Sequence, residues 1–373
     1  MQGKDNVRSA PSGPHRDPGT STRRSPGFMV RLIRAVISLG IVAFILLVVL
    51  PRAIGATVNE VGHAITNVPT SDLLGLGTLW IGGLLLYSFV LTGALRGLRT
   101  GQALTLNLTG SAVANVMPFG GAVGMSLNYY MLRAWDMSLT EFSSYTVVTN
   151  VWNVLMKLSM PGIALVYAME SGVVITRSMS TVVVVAVCLL TTLAGVILAA
   201  LAHRGLAMRF ARGLAGLLAA IARALRRQVD QGTIVEETLR TRDMVVDVVR
   251  VQWVRLSTFM TAYGIAQAAL LYGCIEAVGM HVDPGAVLSA YAAERFLSII
   301  PITPAGLGFT EAGATGVLIA MGGDPTLSAA GVILYRAFVV ALEVPVGGAW
   351  LGAWAYLHHR GRGLTVPVGR GPV

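Results

Sequence analysis

Six ionisable side chains stand inside otherwise apolar stretches of this chain: Lys157, Glu294, Arg295, Glu311, Arg336 and Glu343. A charge is costly in hydrocarbon, so groups of this kind pair with one another or line a polar path. Three carboxylates and three cations near Pro/Gly-rich breaks suit capture of an anionic headgroup, or proton carriage where burial raises a carboxyl pKa. Arg336 and Glu343 lie seven residues apart, on one face of a straight helix, so one can meet Glu294 or Glu311 while the other faces a substrate. The competing reading is a closed set of structural ion pairs, Arg295 with Glu343 and Arg336 with Glu311. Glu311 could equally cap a helix, because a carboxylate in the first turn is stabilised by the helix dipole.

The elements that must position these groups appear twice. A break at Asn115-Val116-Met117-Pro118-Phe119-Gly120-Gly121-Ala122-Val123-Gly124 is echoed at Pro301-Ile302-Thr303-Pro304-Ala305-Gly306-Leu307-Gly308, at a common offset of 184 residues that also aligns Met137 with Met321 and Pro161 with Pro345. Identity elsewhere is slight. In a membrane chain, paired Gly/Pro-interrupted segments in two halves point to a transport site. The returning half-helices would begin at Gly120, Gly121 and Gly124 and at Gly306 and Gly308, offering free N–H groups and a positive dipole end to a phosphate or carboxylate. Alternatively, Gly120 and Gly124 form a small-residue packing face, and Pro118 and Pro304 simply end helices. Asn107, Asn115, Asn128, Asn150 and Asn153 add uncharged polarity around the first break, which interhelical hydrogen bonding can explain.

Composition places the chain in a bilayer: 54% of residues are hydrophobic and 12% charged, with a mean hydropathy of +0.68. Spans are expected at about 30–50, 72–95, 140–168, 178–202, 250–278 and 326–357, with interrupted segments at 103–133 and 285–321. Arg23, Arg24, Arg31 and Arg34, then Arg96 and Arg99, then the central arginines, then His358, His359, Arg360 and Arg362 all fall on the cytoplasmic side if each interrupted segment returns to the face it entered from. The two halves are then inverted relative to each other. Arms of about 15 residues are short for spanning, which favours re-entrant hairpins over pairs of thin complete spans. The expected fold is an all-α polytopic bundle of two inverted repeats, about 72–168 and 250–357, each with a broken re-entrant hairpin.

Residues 1–27 are rich in Pro, Gly, Ser and Arg and read as a disordered cytoplasmic tail; residues 28–358 form the membrane domain and 359–373 a short cytoplasmic tail. The linker at about 203–243 carries an amphipathic helix, with Leu206, Phe210, Leu214, Leu217, Ile221 and Leu225 on one side. On the other, Arg209, Arg212, Arg223, Arg226 and Arg227 would hold anionic lipid headgroups, at about 1 kcal/mol each near the surface. These placements account for the net charge of +10 without nucleic acid. Cys188 and Cys274 read as buried small hydrophobes, and Trp80, Trp152, Trp253, Trp350 and Trp354 as interface anchors or packing. No metal set, cofactor motif, nucleophile elbow, HExxH or Walker loop is apparent, so no enzymatic activity is expected.

The second break through Glu311, followed by Leu334-Tyr335-Arg336, resembles the P-x-T-P-G-G-L-G-x-x-E … R signature of the lysylphosphatidylglycerol synthase transmembrane region, the flippase-like domain family. The likeness implies a membrane protein that translocates lipids with polar headgroups, aminoacylated phosphatidylglycerol being the known type, and it carries Gly306, Gly308, Glu311 and Arg336 over as site residues. Ala305 replaces the first glycine of the pair, and Met125-Ser126-Leu127 lacks the charge often found after the first break. The C-terminus lies soon after the last span, as expected of the translocase part without the soluble aminoacyl-transfer domain. The functional expectation is therefore a flippase-like transporter of a phospholipid or lipid-linked headgroup, of the aminoacylated phosphatidylglycerol or polyprenyl-phosphate-sugar type, in the cell membrane. A scaffold or accessory subunit for an envelope glycosyltransferase and an intramembrane transferase are the alternatives, and a homo-oligomer is possible.

Overall fold

A computed structural model of the protein describes residues 58–117, 120–170, 177–224, 230–299, 306 and 308–362. The expected tail and first span, as well as Pro118, Pro301, Pro304, Ala305, Arg226 and Arg227, lie outside the described residues. Every regular element among those described is helical: α1 (Val58–Thr66), α2 (Thr70–Ala94), α3 (Thr100–Val116), α4 (Gly120–Ala134), α5 (Leu139–Glu170), α6 (Arg177–Ala202), α7 (Arg204–Ala224), α8 (Gln231–Ala277), α9 (Pro284–Leu297), α10 (Phe309–Ala320), α11 (Pro325–Arg336), a π segment (Ala337–Leu342) and α12 (Glu343–Arg362). Among the described residues, three stretches are long and apolar enough to cross a bilayer: Thr70–Ala94, Gln231–Ala277 and Pro325–His358. Exposed Leu74, Ile81, Val184, Val185, Val196 and Ile265 are the outward groups expected where lipid replaces water.

Helix boundaries follow local chemistry. Asp283 and Asp324 are N-caps whose carboxylates accept from Gly285 N at 2.7 Å and Leu327 N at 2.9 Å, each followed by proline at the first helical position. The first half reaches the same boundary before α5 with a capping box: Glu141 accepts from Ser138 N at 2.6 Å while Ser138 Oγ accepts from Glu141 N at 3.2 Å. Pro345 lacks the N–H that would bond the Ala341 carbonyl, and just upstream the ladder widens into the π segment. The straight helix expected between Arg336 and Glu343 is thus interrupted.

The two halves pack through α2 and α8, which run antiparallel. Going forward along α2, its partners on α8 go backward: Leu76 meets Gly273, Gly83 meets Gln267, the Tyr87 and Tyr263 rings lie 5.0 Å apart, and Arg255 donates to Thr92 Oγ1 at 2.7 Å. Contacts between halves are also exchanged. The first arm of one broken segment, α3, packs on α12, where Trp350 Nε1 donates to Thr105 Oγ1 at 2.9 Å; the first arm of the other, α9, packs on α5, with Gly285 against the Tyr167 ring. Thr100 and Pro284, which open these arms, stand at the same 184-residue offset as the breaks. Each arm then folds back on its successor, α3 on α4 and α9 on α10.

Three expectations change. The span placed at 250–278 is the end of a 47-residue helix that begins at Gln231. The linker helix has three faces rather than two: Ala207, Ala211, Ala215, Ala219 and Ala222 form a buried stripe where α7 meets α8, while Leu206, Phe210 and Leu217 are exposed. Small side chains let the two backbones approach, which leaves the large apolar groups for lipid. Cys188 is exposed on α6 whereas Cys274 is buried.

Candidate functional site

The second half brings its charges together where α9, α10 and α11 meet. Glu294 from α9 is 1% exposed and Glu311 from the first turn of α10 is 0% exposed, so each carboxylate needs a cation nearby. Arg336, at the end of α11, meets both: Nε lies 2.5 Å from Glu311 Oε1 and Nη1 donates to Glu294 Oε1 at 3.4 Å. Arg295 grips the neighbouring Glu294 carboxylate through Nε and, at 2.6 Å, through Nη2. It also donates to the Tyr335 hydroxyl at 3.3 Å and lies over the Tyr291 ring, 5.3 Å from its centroid. The expected Arg336–Glu311 pair is thus present, but Arg295 pairs with Glu294 and not with Glu343.

Backbone geometry at the second break is left-handed, with Gly306 at φ +70° and Gly308 at φ +82°. A side chain is disfavoured in that region, so glycine is needed at both positions. Gly308 caps α10 without a side-chain acceptor, and Ala312 N donates to its carbonyl at 3.1 Å. Thr310 Oγ1 lies 3.0 Å from the Gly306 carbonyl and 3.1 Å from Glu311 Oε2, tying the break to the charge cluster.

This cluster forms one wall of a cavity of about 410 Å³ between the halves. Glu294, Arg295, Gly306 and Arg336 line it from the second half, and Asn115 and Lys157 from the first. Glu343 lines it too, beyond the π segment, with Ser111 and Trp80 as neighbours. Among the described residues, neither Lys157 nor Glu343 has an ion pair within 4.0 Å, in contrast to Glu294, Glu311, Arg295 and Arg336. The chamber therefore joins a charge-balanced cluster of two carboxylates and two guanidiniums to Lys157 and Glu343.

A second cavity of about 330 Å³ lies against the first break and shares Tyr87, Asn107, Ser111 and Asn153 with the first. Gly121 and Gly124 line it. Gly120 and Gly124 also serve packing: a Cβ on Gly124 would come 2.9 Å from the Gly110 carbonyl oxygen, and one on Gly120 would overlap the Ala114 carbonyl. Close packing thus requires glycine at 120 and 124, while Gly121 has open space beside it.

Sequence reasoning missed Trp80 and Tyr87. Trp80, read as an interface anchor or packing, is a packed side chain at 7% exposure, and it also lines the charged cavity. Tyr87 accepts from Asn153 Nδ2 at 2.7 Å, on the partition between the chambers. Neither charge nor periodicity marks its position in the sequence. Arg209, Arg212 and Arg223 lie along α7, away from both cavities, with Arg223 Nε donating to the Ala219 carbonyl at 3.3 Å.

No curated protein matches the chain at a significant level. The family model described as "Lysylphosphatidylglycerol synthase TM region" matches residues 32–347, which takes in both broken segments, Glu311 and Arg336. The chain is an integral membrane protein belonging to the lysylphosphatidylglycerol synthase transmembrane-region family.

Proposed function

We propose that this protein is a lipid translocase, in which a phosphate-bearing headgroup enters the charged cavity from one leaflet and leaves toward the other while its tails stay in lipid. The observation that carries the reading is the Lys157 ammonium, without an ion pair within 4.0 Å among the described residues, in a cavity walled by both halves, beside Arg295, Arg336 and the break at Gly306. A cation in a low-dielectric chamber attracts a phosphate strongly, and the first-turn amides after each glycine break add donors for it. The family's printed name concerns synthesis of a lipid with a polar headgroup, which agrees with a lipid substrate.

In this reading the halves are inverted repeats and the broken segments are re-entrant. The antiparallel crossing of α2 and α8 and the exchanged α3–α12 and α9–α5 contacts support the inversion. Arms of 17 and 15 residues in the first segment measure roughly 25 and 22 Å at the helical rise, short of an about 30 Å hydrocarbon core. Both termini face the cytoplasm, and Arg209, Arg212 and Arg223 hold anionic lipid at that surface. Reconstitution in liposomes with headgroup-labelled phospholipids tests the function. Leaflet exchange above protein-free vesicles, abolished in Lys157→Met, is the expected result; exchange unaffected by this substitution and by Arg336→Lys would overturn the assignment.

A further inference from the structure

Resting on that reading, we infer that the headgroup carries an uncharged polyhydroxylated ring beyond its phosphate, a hexose or an inositol, and that the second cavity holds it. The two chambers share walls but differ in chemistry. The first contains Lys157, Glu294, Arg295, Arg336 and Glu343, whereas the lining of the second contains no charged residue. In their place stand Asn107, Asn128, Asn150 and Asn153, with Thr146 and Thr149, and the aromatic Phe142 and Tyr145.

The hydrogen bonding of these asparagines is one-sided. Nδ2 of Asn107 donates to the Leu84 carbonyl at 3.3 Å, Nδ2 of Asn150 to the Thr146 carbonyl at 2.8 Å, and Nδ2 of Asn153 to Tyr87 Oη at 2.7 Å. Among the described residues their side-chain carbonyl oxygens accept nothing, and the buried Asn128 Oδ1 is likewise without a donor. The buried Asn128 oxygen is unfavourable until a donor arrives, whereas Asn150 is exposed. These four amides beside Phe142 and Tyr145 fit a ring that presents several hydroxyls and an apolar face. They do not favour an aminoacyl ammonium, which would find no counter-charge there, since Glu343 belongs to the charged chamber. A volume of about 330 Å³ falls at the lower end of ordinary ligand pockets, roughly 300–1,000 Å³, and the cavity adjoins the phosphate chamber, with which it shares Asn107 and Ser111.

The test compares four lipids in proteoliposomes: farnesyl-phosphate hexose, phosphatidylinositol, phosphatidic acid and lysyl-phosphatidylglycerol. One or both ring-bearing lipids should move at least tenfold faster than the other two, and which of them does so identifies the source of the ring. In Asn128→Leu/Asn150→Leu that ratio should fall toward one. A measurement on the unaltered protein runs in parallel: glucose 1-phosphate should raise the unfolding temperature more than inorganic phosphate or free lysine does. Lipids moving without preference for a ring, or equal shifts by glucose 1-phosphate and inorganic phosphate, would overturn this inference and leave translocation standing. Absence of any lipid movement together with a retained glucose 1-phosphate shift would instead overturn translocation and leave the ring site.

Discussion

Arg336 and Glu311 form an ion pair in which Nε lies 2.5 Å from Oε1, and the carboxylate is completely buried. Removing one member of a buried pair strands the other in low dielectric, which typically costs about 3–5 kcal/mol. Arg336→Ala should therefore lower the unfolding temperature in detergent steeply, and Glu311→Gln by less, because Arg336 keeps Glu294 at 3.4 Å. Arg336→Lys should lie between them, since an ammonium cannot span two carboxylates as a guanidinium fork does. Thermal unfolding followed by circular dichroism ranks the three, and equal losses would contradict the shared-cation geometry.

Lys157 should behave in the opposite way. With no ion pair among the described residues to break, Lys157→Met should shift the unfolding temperature little, or raise it, while headgroup translocation falls at least tenfold. A loss of stability comparable to that of Arg336→Ala would place Lys157 in the structural network instead.

Glycine substitutions separate backbone strain from close packing. Gly308→Ala puts a side chain at φ +82°, an expected loss of about 1–2 kcal/mol. Gly347→Ala should be worse, because its Cβ would overlap the Leu108 carbonyl and push α12 off α3. Gly121→Ala has open space and a helical backbone, so a gain of up to about 1 kcal/mol is expected. Denaturation in mild detergent of the three variants gives the order directly.

The depth of the first break can be read by labelling. In a protein with Cys188 and Cys274 replaced by serine, a cysteine at Met117 should resist a membrane-impermeant maleimide from the external side, whereas one at His281 should react. Equal labelling of both would make the first segment two complete crossings and remove the re-entrant topology.

Asp230 caps α8 by accepting from Gly232 N at 3.1 Å and Thr233 N at 3.2 Å. The Thr233 hydroxyl, 2.7 Å away, and then these amides hold its carboxyl below the usual aspartate value. A depressed folded-state pKa stabilises above the unfolded value and is lost as pH falls through the folded one. Amide exchange in the first turns of α8 should accelerate below about pH 4, and Asp230→Ala should exchange quickly at every pH.

Much of this architecture was legible beforehand because it rests on period and punctuation. Spans expected at 72–95, 140–168 and 178–202 fall on α2, α5 and α6 within two residues, and both interrupted segments divide where glycine interrupts them. Sequence identity between halves is slight because equivalent boundaries use different chemistry, Ser138 with Glu141 in one half and Asp324 with Pro325 in the other. What escaped was the partner of Arg295, while the Arg336–Glu311 pair was among the readings. Arg295 lies next to Glu294 in sequence, so their bidentate contact needs only a rotamer, and spacing rules that look three, four or seven residues ahead pass over it. The π segment escaped for a related reason: a proline two residues into α12 signals a disturbance without saying where the ladder yields.

The exchange of arms has a consequence for engineering. Because α3 leans on α12 and α9 on α5, each half is completed by the other and neither is self-sufficient. A gene cut between the codons for Ala224 and Gln231 should thus yield fragments that accumulate when made together and are degraded when made apart.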